Sequence, residues 1–378
     1  MKAQRTIKSI YFFLSIMFLV FTETVWAIPR LAVQNGVSCV TCHVNPTGSG
    51  LRNEYGSSIV SMDELSWKPL SKQPKFTGAL SDHLRIGTDL RMQTYVHSDE
   101  EAQWERVSFP MQLELYGHWL ITPGIQAYAA MDVLEAYAAM DVLEGNSEGW
   151  ISKEFSSFSG YLRAGRMIPH FGWALDDHST FVRGGNIKLK NGLNAEGMLF
   201  SPMRSTVSTL EGGLNAGDFF ITASVSDGFV SGNTGSKTFT GRVEYSGMLM
   251  GNTVLAGGSA IQEDDFLLVG IFGGAAMGPF TWMGEVDLAD DWVGDGTSLA
   301  SFSELSYSLV QGVTLTTRYD FFDEDIGYLR NALSRISAGI EFFPLPYVEI
   351  RSQVRVTKVA SENEPQNPEL LFQLHLWY

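Results

Sequence analysis

A Cys-x-x-Cys-His motif occupies residues 39–43 and contains both cysteines of the chain. Two thiols at this spacing, those of Cys39 and Cys42, can each add across a vinyl group of haem, and the adjacent imidazole of His43 then lies under the iron as an axial ligand. A redox-active dithiol would be expected within a thioredoxin-like βαβ unit, and a zinc site would need a second pair of ligands. Neither accompanies this motif. The sequence therefore predicts one covalently bound haem c, held by Cys39 and Cys42 with His43 as the proximal ligand.

The second axial position of such a haem also needs a ligand. Met62, 19 residues after His43, is the only methionine between residues 28 and 75. A thioether ligand raises the reduction potential of a haem relative to a second imidazole. An open or water-bound position is one alternative to Met62. Three histidines elsewhere in the chain are further alternatives: His83, His118 and His375.

The amino terminus has the pattern of a secretory signal peptide. Three basic residues within the first eight precede an apolar run at residues 10–21, and Ala27 provides a small residue at the expected cleavage point. A retained membrane helix is the competing interpretation, but the run is shorter than the roughly 20 residues that cross a bilayer. We expect cleavage after Ala27. Export would place the two cysteines outside the cytoplasm, where bacteria attach haem c.

The overall composition narrows the class of protein. The 378 residues carry a formal net charge of −16, which argues against nucleic acid as a partner. Aromatic residues make up 12% of the chain although the mean hydropathy is zero. This combination is typical of strands that face lipid on one side and water on the other.

From residue 76 to residue 378, apolar and polar residues alternate. In residues 313–321 the odd positions are mainly apolar or aromatic and the even positions are polar, and residues 347–357 repeat this split. Short turns also alternate with longer polar loops. These patterns predict an all-β fold, a transmembrane antiparallel β-barrel of 18 strands, or of 16 because residues 181–203 are weakly patterned. A soluble β-sandwich or propeller is the alternative.

The last strand discriminates between these folds. One face of it carries Leu370, Phe372, Leu374, Leu376 and the final Tyr378. An aromatic C-terminal residue after such alternation resembles the signal that outer-membrane barrels present to their insertion machinery. We therefore expect a protein of the bacterial outer membrane, surrounded by outer-membrane lipid.

Residues 28–75 are then a small haem segment in front of the barrel, with a helix predicted at residues 57–65. A segment of about fifty residues buries only a marginal core of its own. We expect it to dock inside the barrel or at its periplasmic mouth, against lumen residues such as Arg85, Glu114 and Arg351.

The loop at residues 168–185 is the longest predicted external connection and the third in order. In general porins the third loop folds inward and narrows the pore, so by analogy this loop is the predicted constriction. Its side chains His170, Asp176, Asp177 and His178 combine imidazole and carboxylate groups, which suit iron; ordinary solvated loop residues are the alternative. Acidic clusters that would attract cations to the outer mouth occur at residues 99–101, 263–265, 287–295 and 323–325.

Residues 29–43 read Pro-Arg-Leu-Ala-Val-Gln-Asn-Gly-Val-Ser-Cys-Val-Thr-Cys-His, and Pro46, Asn53 and Gly56 follow. This stretch resembles the P-x-x-A-x-Q-x-G-x-x-C-x-x-C-H opening of the fused monohaem cytochrome–porins of bacterial outer membranes, best known as iron oxidases. The resemblance implies that the haem segment plugs the lumen, so that electrons rather than solutes pass. It further implies oxidation of extracellular Fe(II) with electron transfer to a periplasmic c-type cytochrome, or the reverse flow to an extracellular acceptor. A passive porin whose haem segment is a structural plug or a sensor is the alternative function.

Overall fold

The computed structural model describes most of the chain. The described residues are 29–68, 77–98, 104–133, 147–173, 179–183, 187–188, 194–195, 206–292, 296–328 and 332–378. The predicted signal peptide at residues 1–27 and the predicted boundary after residue 75 lie outside the described residues.

The antiparallel strands close into one barrel, so the prediction of an all-β barrel is confirmed. Strands that are neighbours along the barrel wall follow one another in the sequence, and β18 closes the ring against β1. In chain order the strands are β1 (Leu84–Ser98), β2 (Trp104–Thr122), β3 (Ile125–Asp132), β4 (Glu148–Phe155), β5 (Gly160–Met167), β6 (Ile187–Lys188), β7 (Asn194–Ala195), β8 (Val207–Ala216), β9 (Phe219–Asp227), β10 (Lys237–Leu249), β11 (Asn252–Glu263), β12 (Phe266–Met277), β13 (Phe280–Asp290), β14 (Thr297–Val310), β15 (Val313–Asp323), β16 (Leu333–Phe342), β17 (Val348–Val359) and β18 (Glu369–Trp377).

The barrel contains 16 strands, so the count of 18 was wrong and the alternative of 16 is confirmed. β5 pairs directly with β8, and the short strands β6 and β7 pair only with each other. We call the connection from β5 to β8 the third loop. Within the weakly patterned residues 181–203, the described side chains of Phe181 and Val182 are fully buried in the lumen, where no lipid imposes the alternation of a membrane strand.

The strands alternate between an outer and an inner face as predicted. In β15, Leu315, Thr317 and Tyr319 are exposed on the outer surface, whereas Thr316 and Arg318 are buried on the lumen side. Because side chains on a strand point alternately to opposite faces, one strand serves lipid and lumen at once.

The last strand keeps the same pattern up to the end of the chain. Phe372 and Leu374 point outward, whereas Trp377 is buried on the inside. The backbone N–H of Tyr378 donates to the carbonyl oxygen of Thr88 at 2.8 Å, and the N–H of Thr88 donates back at 3.1 Å. The carboxyl terminus is therefore part of the seam between β18 and β1.

One sector of the lumen wall is apolar, and we call the inward faces of β11–β14 the apolar wall. β12 is a nearly continuous apolar run, the sequence pattern of a strand that is buried on both faces. Side chains of the third loop cover this wall in the lumen. The buried residues of this cluster on the wall include Leu255, Ile261, Leu268, Phe272, Met283, Ala300 and Phe302. Those of the third loop are Phe171, Trp173, Phe181 and Val182.

Residues 29–68, which we call the plug segment, lie inside the barrel. They form helix α1 (Pro29–Asn35), a 3₁₀ turn (Cys39–Thr41) and a π-helix (Gly56–Glu64), and the π-helix confirms the predicted helical stretch. α1 packs against β11, β12 and β13, and its Val33 belongs to the same cluster as Trp173 of the third loop. No helix in the described part of the chain is long and apolar enough to cross a bilayer.

Two further apolar clusters join the plug segment to other sides of the barrel. The first contains Leu31, Cys42, Val60 and Leu65 of the segment with Phe343 and Trp377 of the barrel. The second contains Leu51 of the segment with Tyr116, Tyr128, Ala130, Trp150 and Met167. The segment therefore buries its apolar side chains against the barrel, as expected for a piece of chain too small to form its own core.

Candidate haem-binding site

The two cysteines and His43 lie on one tight turn inside the barrel. The backbone N–H groups of Cys42 and His43 both donate to the carbonyl oxygen of Cys39, each at 3.1 Å. Neither thiol is in a disulfide. The local geometry thus brings together the three residues that the motif predicts, and the haem itself stays a prediction.

Asn53 holds this turn in place from the other side of the plug segment. Its backbone N–H donates to the carbonyl oxygen of Cys42 at 2.9 Å, and its Nδ2 donates to that of Thr41 at 2.9 Å. Its Oδ1 accepts the N–H of Gly56 at 3.0 Å. A Cβ at Gly56 would overlap the carbonyl oxygen of Cys42, so glycine is required where the π-helix passes the turn. Asn53 and Gly56 therefore fix the backbone of the motif.

The surroundings of the thiols fit covalent attachment of a haem. Gly48 has a φ of +82°, and a Cβ there would lie 2.9 Å from the sulfur of Cys39, so this side of the sulfur stays uncrowded only with glycine. Burial raises the pKa of the Cys42 thiol to about 11, with Arg52 opposing and Glu64 adding to this effect. Cys42 is thus a buried thiol outside any disulfide.

The candidate distal ligands occupy different environments. Met62 is buried within the π-helix, two residues after Val60, which packs with Cys42. His83 is exposed, with Nδ1 at 3.1 Å from the carbonyl oxygen of Leu120. The role of Met62 as an axial ligand stays a prediction.

Two other histidine candidates are held by polar partners on the barrel wall. Nε2 of His118 lies 2.7 Å from Oε1 of Gln126. His375 has a carboxylate at each ring nitrogen, with Oδ1 of Asp89 at 2.8 Å and Oε2 of Glu349 at 3.0 Å. An imidazole between two carboxylates has no lone pair directed at an iron, so the structure does not favour His375 as a haem ligand.

Hydrogen bonds and ion pairs fix the plug segment to the wall. Nη2 of Arg30 donates to Oε2 of Glu341 at 2.6 Å, and both side chains are buried. Nδ2 of Asn45 donates to both carboxylate oxygens of Glu148, and Oδ1 of Asn45 accepts from Nη1 of Arg163 at 2.9 Å. Breaking one partner of a buried ion pair typically costs about 3–5 kcal/mol. The segment is therefore anchored on opposite sides of the lumen.

The end of the barrel that carries the short turns adds further contacts to the plug segment. The guanidinium of Arg52 lies 4.9 Å above the ring of Trp377, whose Nε1 donates to Oγ of Ser61 at 3.1 Å. Nη2 of Arg85 lies 3.1 Å from Oε2 of Glu54, which confirms the predicted docking against Arg85.

The other two predicted docking residues have partners on the barrel wall. Arg351 pairs with Glu341 at 3.1 Å, and Glu341 in turn holds Arg30. Glu114 accepts a hydrogen bond from the hydroxyl of Tyr116.

The third loop folds into the lumen, as predicted for the constriction. Arg183 pairs with Glu285, lies 3.3 Å from Oδ2 of Asp287, and donates to the carbonyl oxygen of Trp173 at 2.7 Å. Gly172 donates its N–H to Oγ of Ser259 at 2.9 Å. The described parts of the loop are therefore bonded to the wall.

Of the four residues predicted to form a metal site on the third loop, only His170 lies among the described residues. His170 is only 3% exposed, so it is not a solvated loop residue. Asp176, Asp177 and His178 lie outside the described residues. Within the described part of the chain, no three His, Cys, Asp or Glu residues are grouped so that they could hold a metal ion.

Sequence reasoning missed the residues that hold the Cys-x-x-Cys-His turn and the third loop against the barrel wall. Asn45 and Arg163 are 118 positions apart, and Arg183 and Glu285 are 102 apart. The one available signal was arginine at inward positions of strands, because a buried arginine needs an acidic partner.

No protein-family model and no curated protein matches the sequence. The fold nevertheless resembles solved porins. A porin refined at 1.8 Å resolution superposes with a TM-score of 0.53 at 14% identity, over 78% of this chain and 100% of the porin. The anion-selective porin from Comamonas acidovorans gives a TM-score of 0.53 at 12% identity, over 78% and 99% of the two chains. OmpT of Vibrio cholerae gives 0.53 at 11% identity, over 79% and 99%.

These similarities concern the fold. A closed barrel with an even number of strands, an apolar outer face and short turns on one side is the architecture of bacterial outer-membrane barrels. The chain is a porin-like outer-membrane β-barrel whose outer face contacts lipid.

Proposed function

We propose that the protein is an outer-membrane electron conduit. The plug segment carries one haem c bound through Cys39 and Cys42, with His43 as axial ligand, and electrons pass between an extracellular donor or acceptor and a periplasmic c-type cytochrome. Extracellular Fe(II) is the leading donor, which would make the protein an Fe(II)-oxidising cytochrome.

The observation that carries this proposal is the position of the Cys-x-x-Cys-His turn within the lumen. A bound haem supplies a one-electron carrier, and this turn supplies its covalent attachment and proximal ligand. The barrel wall then surrounds the segment with apolar side chains such as Trp150 and Trp377, which exclude water from its contacts. Burial of this kind is one of the factors that set the potential of a haem.

The packing of the lumen supports the passage of electrons rather than solutes. α1 lies against β11–β13, the third loop covers the apolar wall, and Val33 and Trp173 bring the two inserted pieces into one cluster. Water-filled channels are instead lined by polar side chains. In this sector the loop, the helix and the wall meet through apolar side chains.

Electron transfer across liposome membranes tests the proposal. Fe(II) added outside liposomes that contain the haem-loaded protein should reduce a membrane-impermeant acceptor trapped inside. The Cys39→Ala, Cys42→Ala variant should not do so. Equal reduction with the haem-free variant would contradict the proposal.

A passive porin is the second candidate, and the likeness of the barrel to solved porins, one of them anion-selective, favours it. In that case the plug segment is a structural stopper or a sensor. Release of small trapped solutes by wild-type protein and by the double-cysteine variant alike would support the porin over the conduit.

A further inference from the structure

We propose that His170 of the third loop supplies the second axial ligand of the haem. This inference rests on the proposed attachment of haem at Cys39 and Cys42. It assigns the distal side of the haem to the barrel rather than to the plug segment, whose own candidate is Met62.

The imidazole of His170 is buried without a hydrogen-bond partner for Nδ1 among the described residues. Its side chain is 3% exposed, and its ring lies 6.0 Å from that of Phe220 on β9. Buried polar groups nearly always have a partner, and one that lacks it indicates a ligand or water that belongs at the site. An imidazole nitrogen is a common ligand of haem iron.

The chain on both sides of His170 contacts the plug segment. Three residues before it, Met167 shares a cluster with Leu51, and Val44, the neighbour of His43, packs against that cluster. Three residues after it, Trp173 shares a cluster with Val33 of α1. His170 therefore lies on the stretch of the third loop that bridges the haem turn and helix α1.

The electrostatic surroundings keep this imidazole in the form that binds iron. Burial, together with the positive charges of Arg242 and Arg163, holds the pKa of His170 well below its usual value. A neutral imidazole has a lone pair for coordination, whereas an imidazolium has none. Arg163 also donates to Asn45, two residues after His43, so it links the surroundings of His170 to the haem turn.

Spectroscopy of the purified haem-loaded protein tests this assignment without measuring electron transfer. Wild-type protein should show a six-coordinate, low-spin haem without the methionine–iron charge-transfer band. His170→Ala should lose the low-spin signal, and added imidazole should restore it. His118→Gln, which removes another buried histidine of the lumen, should keep the wild-type spectrum.

His170→Met provides a gain of signal that does not depend on loss of structure. It should introduce the methionine–iron band and raise the midpoint potential. Heat-dependent migration on gels should show that each variant still forms a barrel. An unchanged spectrum in His170→Ala, or a methionine–iron band in wild type that Met62→Leu removes, would overturn the inference. Absence of covalent haem from the wild-type protein would instead overturn the proposed function.

Discussion

Two sectors of the lumen wall differ in the chemistry of the contacts that their side chains make. On the apolar wall, residues such as Leu268 and Phe272 pack against the third loop and α1. On the inward faces of β15–β18 and β1, which we call the charged wall, buried acidic and basic side chains pair with one another. These ion pairs include Arg318–Asp320, Arg335–Asp320, Arg91–Asp89, Arg351–Glu349 and the two carboxylate contacts of His375.

This comparison shows that the side chains of the wall are complementary to the inserted chain segment that they contact. Two acidic residues within the apolar wall support the point, because Glu285 and Asp287 on β13 both pair with Arg183 of the third loop. A wall built for water would not need an arginine supplied by a loop. The third loop and the apolar wall are therefore two halves of one core.

Loss of the loop's arginine should have the largest effect. Arg183→Met leaves the buried Glu285 and Asp287 without their counter-charge, and this should lower the free energy of unfolding by about 3–5 kcal/mol. Denaturant titration monitored by tryptophan fluorescence measures the change.

Lys237→Met is the matched control, because it removes an exposed ion pair with Asp227 and should change stability by only about 0–1 kcal/mol. Equal losses in the two variants would show that the third loop is not anchored to the apolar wall.

Two adjacent leucines on β12 test whether the apolar wall behaves as a protein core. Leu268 is fully buried and Leu267 is 39% exposed on the lipid face. Leu268→Ala should destabilise the barrel by about 2–5 kcal/mol because the packed loop cannot fill the cavity. Leu267→Ala should cost less, since lipid replaces the lost contacts. If the Leu267 variant were the less stable of the two in the same denaturant titration, the inner face would not be a packed core.

The charged wall should give the smallest effect at its exposed edge. Arg85 and Glu54 form a partly exposed ion pair where the plug segment meets β1. Arg85→Ala should therefore lower the free energy of unfolding by only about 0–1 kcal/mol, and added salt should reduce the difference further. A salt-insensitive loss as large as that of Arg183→Met would remove the distinction between the two walls.

The sequence predicts the outer surface of the barrel better than its contents. Alternation in β15 and β18 is set by lipid on one side, so the odd and even positions can be read directly. β12 breaks that rule because its lumen side is covered by protein, and its apolar run on both faces was the available sign. The third loop was counted partly as strands, although its described residues Phe181 and Val182 pack in the lumen, where no lipid face imposes the membrane period.

The Cys-x-x-Cys-His turn is local in sequence and was therefore predictable. The contacts that hold this turn in the barrel were not. Cys39, Cys42 and His43 lie within one turn. Asn45 and Arg163 meet only after β5 has folded into the wall, and such distant partners leave no spacing pattern in a single sequence. His170 was predicted as part of a loop metal site. Its burial depends on how the third loop folds, and no sequence pattern indicates that fold.

Mass spectrometry of protein produced with a haem c maturation system tests the central claim most directly. The wild-type chain should have the mass of the mature polypeptide plus one haem, and the Cys39→Ala, Cys42→Ala variant should have the mass of the polypeptide alone. A wild-type protein that forms the heat-modifiable barrel in the outer membrane but carries no covalent haem would contradict the claim that the plug segment is a cytochrome.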